Sequence, residues 1–330
     1  MSFFIEMINV SIGESYILNF ANDKKMVRIL VDGGSEGKGN SIEELILTIK
    51  SSEWLKFEGT EAPEGKHNKI NGIIVTHIDD DHIGGIIKLL NHVEVEKYID
   101  FSQECFIIFN DLVDSSTISY KQGKRLKEII DKYPNLTLVR SFERNRKFDI
   151  NGFEIFIRNN KLKPITNNTS NIILIDILLP EKETLRKLMK SWLVEKKNSK
   201  LINQSSLVCI VQYEEKSVLL SADNFIPTIV EYLKSIDYKN KIDLMKLAHH
   251  GAFSNNKDIL DLSRNIGVTK FFLPITIPNK YHPSSSILRK VLEEQNNEII
   301  FPKQVRCKLG KIELDVNISS RILYKDKIDI

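Results

Sequence analysis

The sequence predicts an α/β protein. Three observations carry that expectation. Short β-branched or apolar runs such as Ile73–Val75 and Leu244–Ala248 read as buried strands, chemistry-bearing polar residues stand where those runs stop, and amphipathic helical stretches lie between them.

The 330 residues suffice for a large core, and one two-layered α/β domain is as plausible on length alone as two domains. No composition shift marks a boundary, so residues 1–330 are taken as a single domain. Shares of 42% hydrophobic and 28% charged residues are ordinary for a soluble globular protein. A net charge of +3 is too small to announce a nucleic-acid coat. Cys105, Cys209 and Cys307 are few, odd in number and far apart, which argues against a disulfide framework and fits a reducing compartment. Met1–Val10 lacks the basic region and long apolar run of a signal peptide. The longest apolar stretch, Ile172–Leu179, is broken by Asp176 and is too short to span a bilayer. A cytoplasmic protein with no membrane contact is expected.

Taken in order, Phe3–Val10, Ser15–Phe20 and Met26–Val31 read as a β-meander with Asn22 and Asp23 in its second turn. Ser41-Ile42-Glu43-Glu44 is a capping box, and Ile42, Leu45, Ile46 and Ile49 follow at helical spacing. The segment through His67 is polar and reads as a surface loop. Lys121–Tyr133 reads as a helix with Leu126, Ile129 and Ile130 on one face, stopped by Pro134 and Asn135. Strand-like pieces at Thr137–Ser141 and Phe153–Arg158 follow, joined by a charged turn. Over 181–200, Leu185, Leu188, Met189, Trp192 and Leu193 recur at helical spacing beneath a back of Lys182, Arg186, Lys187, Lys190, Lys196, Lys197 and Lys200. This variable helical insertion is expected to face the core with solvated lysines; a nucleic acid, a partner protein or a homodimer contact is the alternative use of its basic face. Leu207–Tyr213 and Ser217–Ser221 form a hairpin across Glu214–Lys216. Phe271–Ile277 is a further strand, with helix-forming residues from Ser286 onward.

The densest chemistry lies in Ile73–Ile86, I-I-V-T-H-I-D-D-D-H-I-G-G-I. Within six positions His77, Asp79, Asp81 and His82 gather two imidazoles and two carboxylates, with Gly84 and Gly85 behind them to let a helix start close by. Carboxylates crowded in this way repel one another at neutral pH unless something positive joins them, and a divalent cation meets that need. The bland alternative is a solvated turn whose aspartates cap the next helix. His67 and His92 have no such company and are read as surface or structural residues.

This stretch resembles the metal-binding motif of the metallo-β-lactamase fold hydrolases. Their usual H-x-H-x-D-H carries Asp79 here in place of the second histidine, and that variant resembles the subgroup containing the ComEC competence nuclease domain. Further pieces resemble that subgroup in the same order. Gly13 follows the first strand, and Asp32-Gly33-Gly34 ends a later one. Asp223 in Ser221-Ala222-Asp223-Asn224 closes the 217–221 strand. His249-His250-Gly251 differs from the family's H-H-G-S only in Ala252, and Tyr281-His282-Pro283 resembles an N-x-Y-x-H-P segment one residue shorter.

The resemblance implies a four-layer αββα sandwich with the site on one edge, and two divalent metal ions, zinc or manganese. His77 and Asp79 are expected to hold the first ion, Asp81, His82 and His249 the second, and Asp223 both. His250 would stand behind the ligands or face the substrate, although sequence does not separate two adjacent imidazoles. Asp32 is placed behind the ligands, and His282 near them as a proton donor or phosphate contact. The reaction implied is hydrolysis by a metal-bridging hydroxide, with a phosphodiester, nucleic acids included, as substrate. Alternatives are an ester, lactone or thioester hydrolase of the same fold, or a metal-bearing sensor or partner subunit of a prokaryotic defence complex.

Overall fold

The computed structural model describes residues 2–10, 12–22, 25–37, 41–51, 69–110, 121–159, 171–193, 198–275, 282–303 and 321–330. The loop through His67, Asp23 in the meander turn, Lys196, Lys197 and the Asn279–Tyr281 part of the His282 segment lie outside them.

The opening meander forms as expected: β1 (Ser2–Met7), β2 (Tyr16–Ala21) and β3 (Met26–Val31) pair antiparallel. After α1 (Ser41–Ser51), β4 (Gly72–Ile74) joins β3 in parallel. Next come α2 (Asp80–Leu90), β5 (Cys105–Ile108), α3 (Lys121–Ile130) and β6 (Leu136–Val139), again with parallel pairing.

The chain then enters a second sheet through the hairpin β7 (Arg146–Ile150) and β8 (Phe153–Asn159), followed by β9 (Ile172–Leu179). The charged turn expected between residues 141 and 153 thus contains a strand. In β7 Lys147 and Asp149 face solvent while Phe148 and Ile150 are buried, the pattern of a half-covered edge strand. Asn151 and Gly152, at φ 53° and 75°, make the tight turn.

The 181–200 stretch is two helices, α4 (Lys182–Leu193) and α5 (Ser199–Gln204), the latter capped by the Asn198 side chain on the Leu201 N–H. Then follow β10 (Val208–Tyr213), β11 (Lys216–Leu220), α6 (Ile226–Ser235), β12 (Leu244–Lys246), α7 (Ile259–Ile266), β13 (Lys270–Phe272), α8 (Ser285–Glu293), β14 (Glu298–Phe301) and β15 (Ile322–Tyr324). The last strand, β16 (Lys327–Asp329), returns to the first sheet and pairs with β1.

The strand order is β16-β1-β2-β3-β4-β5-β6 in one sheet and β15-β14-β13-β12-β11-β10-β9-β8-β7 in the other. Period-two alternation turns each sheet into a divider between two apolar layers. Tyr16, Leu18 and Phe20 from one sheet meet Cys209, Val211, Tyr213, Val218 and Leu220 from the other in the core between the sheets. Ile17, Leu30, Ile73 and Ile107 face outward onto α1, α2 and α3 through Leu45, Ile86, Ile87 and Leu126. Ile210, Leu219 and Met245 face α6, α7 and α8 through Ile229, Leu262 and Leu288. Three apolar interfaces therefore separate four layers, and the fold is the αββα sandwich.

This topology positions the site. β3, β4, β5 and β6 run parallel, as do β11, β12, β13 and β14, so their C-terminal ends gather along edges of the sheets. In open α/β sheets ligands bind outside those carboxyl ends.

Candidate metal centre

The predicted site residues other than His282 sit beyond strand ends. Asp32 follows β3, and His77 follows β4 with Asp79, Asp81 and His82 at the start of α2. Asp223 follows β11, and His249 and His250 follow β12. Four residues at these exits, Asp32, Ala222, His249 and His250, hold φ between 45° and 55°. Non-glycine residues seldom adopt that conformation, and such strain concentrates where side chains must be aimed.

Glycines let α2 dock closely against the β3 exit. The N–H of Gly33 donates to His82 O at 2.8 Å and that of Gly85 to Gly34 O at 2.7 Å. A Cβ on Gly85 would stand 1.8 Å from Gly33 O, and one on Gly13 would stand 1.9 Å from Asp81 O. These approaches bring Asp32 onto His82. His82 Nδ1 lies 2.8 Å from Asp32 Oδ2, and because a carboxylate can only accept, the imidazole carries its proton on Nδ1 and turns Nε2 forward. Asp32 is itself fixed by the Thr76 N–H at 2.8 Å and Thr76 Oγ1 at 2.5 Å.

The forward atoms converge. His82 Nε2 is 3.4 Å from Asp223 Oδ2 and 4.0 Å from Asp81 Oδ1. His250 Nε2 is 3.1 Å from Asp81 Oδ2, and His249 Nε2 is 3.5 Å from Asp223 Oδ2. Ligand-type atoms of His77, His82 and Asp223 lie within 4.8 Å of one another, as do those of Asp81, His82 and His250. His249 Nδ1 lies 3.1 Å from Asn203 Nδ2, from which it could accept, and 3.1 Å from Asn255 Oδ1, to which it could donate, one or the other according to its tautomer; Asn255 also donates to Asp223 O at 2.8 Å.

Asp79 is the N-terminal cap of α2 and makes no side-chain capping bond; its charge bears on His77. Asp80, the middle aspartate, is engaged elsewhere by Ser35 and by Gln122 at 2.6 Å. The His282 ring stands 5.1 Å from that of His249 and 6.2 Å from that of His250. All the sequence-predicted residues thus lie in one neighbourhood. Their grouping differs from the expectation: His250 and Asp32, expected behind the ligands, are in clusters of ligand-type atoms, whereas Asp79, expected to hold the first ion, is in none among the described residues, and His249 approaches only Asp223.

Two residues went unread in the sequence. Glu14 is fully buried, with Oε1 2.7 Å from Lys246 Nζ and Oε2 3.4 Å from His250 Nδ1. Lys246 is equally buried and also donates to Ala222 O at 3.1 Å. A lysine inside the apolar run Leu244–Ala248 was the available signal, since lysine is almost never fully buried without a partner.

The electrostatics ask for positive charge. Burial opposes ionisation at His82, but Asp223, Asp32 and Asp81 outweigh it and raise its pKa well above the usual histidine range. His250 is likewise raised to about 10 against burial, by Asp81 and Glu14. Asp223 is held well below the usual carboxylate range by His82 and His249 in spite of burial. His77 is shifted the other way, by burial and then by His82, which keeps it neutral and ready to donate a lone pair.

Both ring nitrogens of His77, Nε2 of His82 and Oδ1 of Asp223 are buried with no hydrogen-bond partner. Buried polar atoms are normally satisfied, so a convergent set left without partners fits a bound cation. Mixed imidazole nitrogen and carboxylate oxygen suits zinc or manganese. Beside His77 opens a small cleft walled by Phe109, Asn110, Leu185 and Ser205, in which Leu185 comes from α4.

Residues 15–116 match the family model described as the metallo-beta-lactamase superfamily. Comparison with curated proteins gave no match. Among solved structures, the metallo-beta-lactamase fold protein YhfI from Bacillus subtilis is 10% identical, with a TM-score of 0.48, covering 92% of this chain and 98% of that one. CmlA, a diiron beta-hydroxylase from Streptomyces venezuelae, is 11% identical with a TM-score of 0.44; the match covers 100% of this chain but 54% of that one. Human tRNase Z, short form, is 11% identical with a TM-score of 0.37, covering 90% and 91%. At these scores and identities the likenesses say nothing about substrate. The two-sheet architecture and the family match make this a metallo-beta-lactamase fold.

Proposed function

We propose that this chain is a metal-dependent hydrolase acting on phosphodiesters, nucleic acids among them, at the cluster of His77, Asp79, Asp81, His82, Asp223, His249 and His250. The observation that carries this reading is the set of buried imidazole and carboxylate atoms that converge without hydrogen-bond partners. Divalent ions held there would supply Lewis acidity and a water of lowered pKa. Asp79 in the second position of the histidine motif makes the set richer in oxygen, which favours manganese alongside zinc and suits phosphate chemistry.

The chain's own residues divide the remaining work. Asp32 orients His82, and Asn203 and Asn255 orient His249, so that Nε2 of each ring points inward. His282 is kept neutral by burial and by the nearness of His249 and His250. A neutral imidazole still offers one N–H, which suits a hydrogen bond to a phosphoryl or leaving oxygen. The resemblance of the motif order to the ComEC-like nucleases supports the same substrate class.

The test is a panel of bis(p-nitrophenyl) phosphate, single- and double-stranded DNA, RNA and cyclic nucleotides, with an ester, a lactone and a thioester beside them. Each is assayed with manganese or zinc. Metal-dependent turnover of at least one phosphodiester is expected. Turnover confined to the ester, lactone or thioester would transfer the reading to that chemistry. A metal-loaded protein inert on every substrate would point to a sensor or partner subunit.

A further inference from the structure

Glu14 and Lys246 form an ion pair sealed beneath the cluster, each with a fully buried side chain. They come from opposite sheets: Glu14 stands just before β2, and Lys246 ends β12. The backbone here is tightly tied. The Glu14 N–H donates to Asp81 O at 3.2 Å, and Ala222 O accepts both Lys246 Nζ at 3.1 Å and the His249 N–H at 2.9 Å. Glu14 Oε2 then faces His250 Nδ1 at 3.4 Å, while His250 Nε2 faces Asp81 at 3.1 Å.

As with Asp32 and His82, a buried carboxylate stands on the Nδ1 side of the imidazole, but its reach is longer: 3.4 Å for Glu14 and His250 without a formed hydrogen bond, against 2.8 Å for Asp32 and His82, while His250 Nε2 bonds Asp81 at 3.1 Å. We infer that Glu14 is a positioning residue for His250: it holds the Nδ1–H tautomer so that Nε2 is the nitrogen offered to a metal ion, and Lys246 pairs with Glu14 and fixes its place in the dry interior. This rests on the metal-centre reading above. An unpaired carboxylate at full burial would protonate or draw in water, and it would then orient nothing.

The obvious variant, Glu14→Met, leaves the Lys246 charge buried without its partner, and misfolding would follow for that reason alone. The paired variant Glu14→Met/Lys246→Met removes both charges at similar volume, a change that buried ion pairs commonly tolerate. Its companion, Glu14→Gln/Lys246→Met, retains a neutral oxygen to accept from His250. Manganese and zinc binding is measured calorimetrically on each, with thermal melting as the control for folding.

The inference expects both paired variants to melt close to wild type. The Met/Met protein should lose roughly 10- to 100-fold in metal affinity, and the Gln/Met protein should recover most of it. Wild-type affinity in a folded Met/Met protein would make the pair structural only and overturn the inference. Absence of metal binding by the wild type would overturn the metal-centre reading itself. Should both paired variants unfold, the imidazole ¹⁵N spectrum of zinc-loaded wild-type protein still decides: a proton on Nδ1 of His250 supports the inference, and one on Nε2 refutes it.

Discussion

Asp32 decides which nitrogen of His82 faces the cluster. Its carboxylate accepts from Nδ1 at 2.8 Å and is immobilised by two donors of Thr76. Asp32→Ala would leave the imidazole free to take the other tautomer, with its proton where a lone pair is needed. Residues that orient ligands in this way are worth roughly 10- to 100-fold in metal affinity. A loss of that size is expected in a calorimetric titration, and an unchanged affinity would show that His82 does not bind metal through Nε2. His282 should behave in the opposite way, because it stands beside the cluster with its ring 5.1 Å from that of His249. His282→Ala should keep full metal content while turnover falls about 10²–10⁴-fold, the usual share of a proton-transfer or oxygen-contacting group. Metal lost together with rate would instead make His282 a ligand.

At the scale of elements, the junction of α2 with the β3 exit is made of backbone against backbone. Gly85→Ala would set a methyl group 1.8 Å from Gly33 O, and a carbonyl fixed in place cannot rotate away. Better helix propensity returns about 1 kcal/mol, whereas overpacking of this kind costs up to about 3 kcal/mol, so net destabilisation is expected. A lowered melting temperature with weakened metal binding would confirm that α2 is displaced; unchanged melting would mean that the junction is looser than its distances. Gly84 and Gly85 were read from sequence as permitting a close helix start, and the structure gives that closeness a partner in Gly33. The α/β class was legible because aspartates and histidines interrupt β-branched runs abruptly, whereas the sandwich was expected only from the resemblance of the motifs to a known family. The β7 strand was not legible, because an edge strand with one face in solvent alternates charge with apolar residues and looks like a turn. Glu14 was missed because a single glutamate after Gly13 carries no spacing signal. Its meaning arises only when the second sheet brings Lys246 and His250 against it.

Across the whole molecule, the cluster joins two halves of the chain that are far apart in sequence. His77, Asp79, Asp81 and His82 leave the first sheet, and Asp223, His249 and His250 leave the second. Neither half holds a complete set of ligands, so the face-to-face packing of the sheets through their shared core is what creates the site. The residue on which both halves depend is Asp223, whose Oδ2 lies 3.4 Å from His82 Nε2 and 3.5 Å from His249 Nε2. The most direct test of the account is therefore the metal content of Asp223→Ala beside wild type, both dialysed against manganese or zinc and measured by elemental analysis. The account predicts bound metal in the wild type and its loss in the variant, with the fold retained by circular dichroism. Full metal content in Asp223→Ala, or none in the wild type, would contradict it.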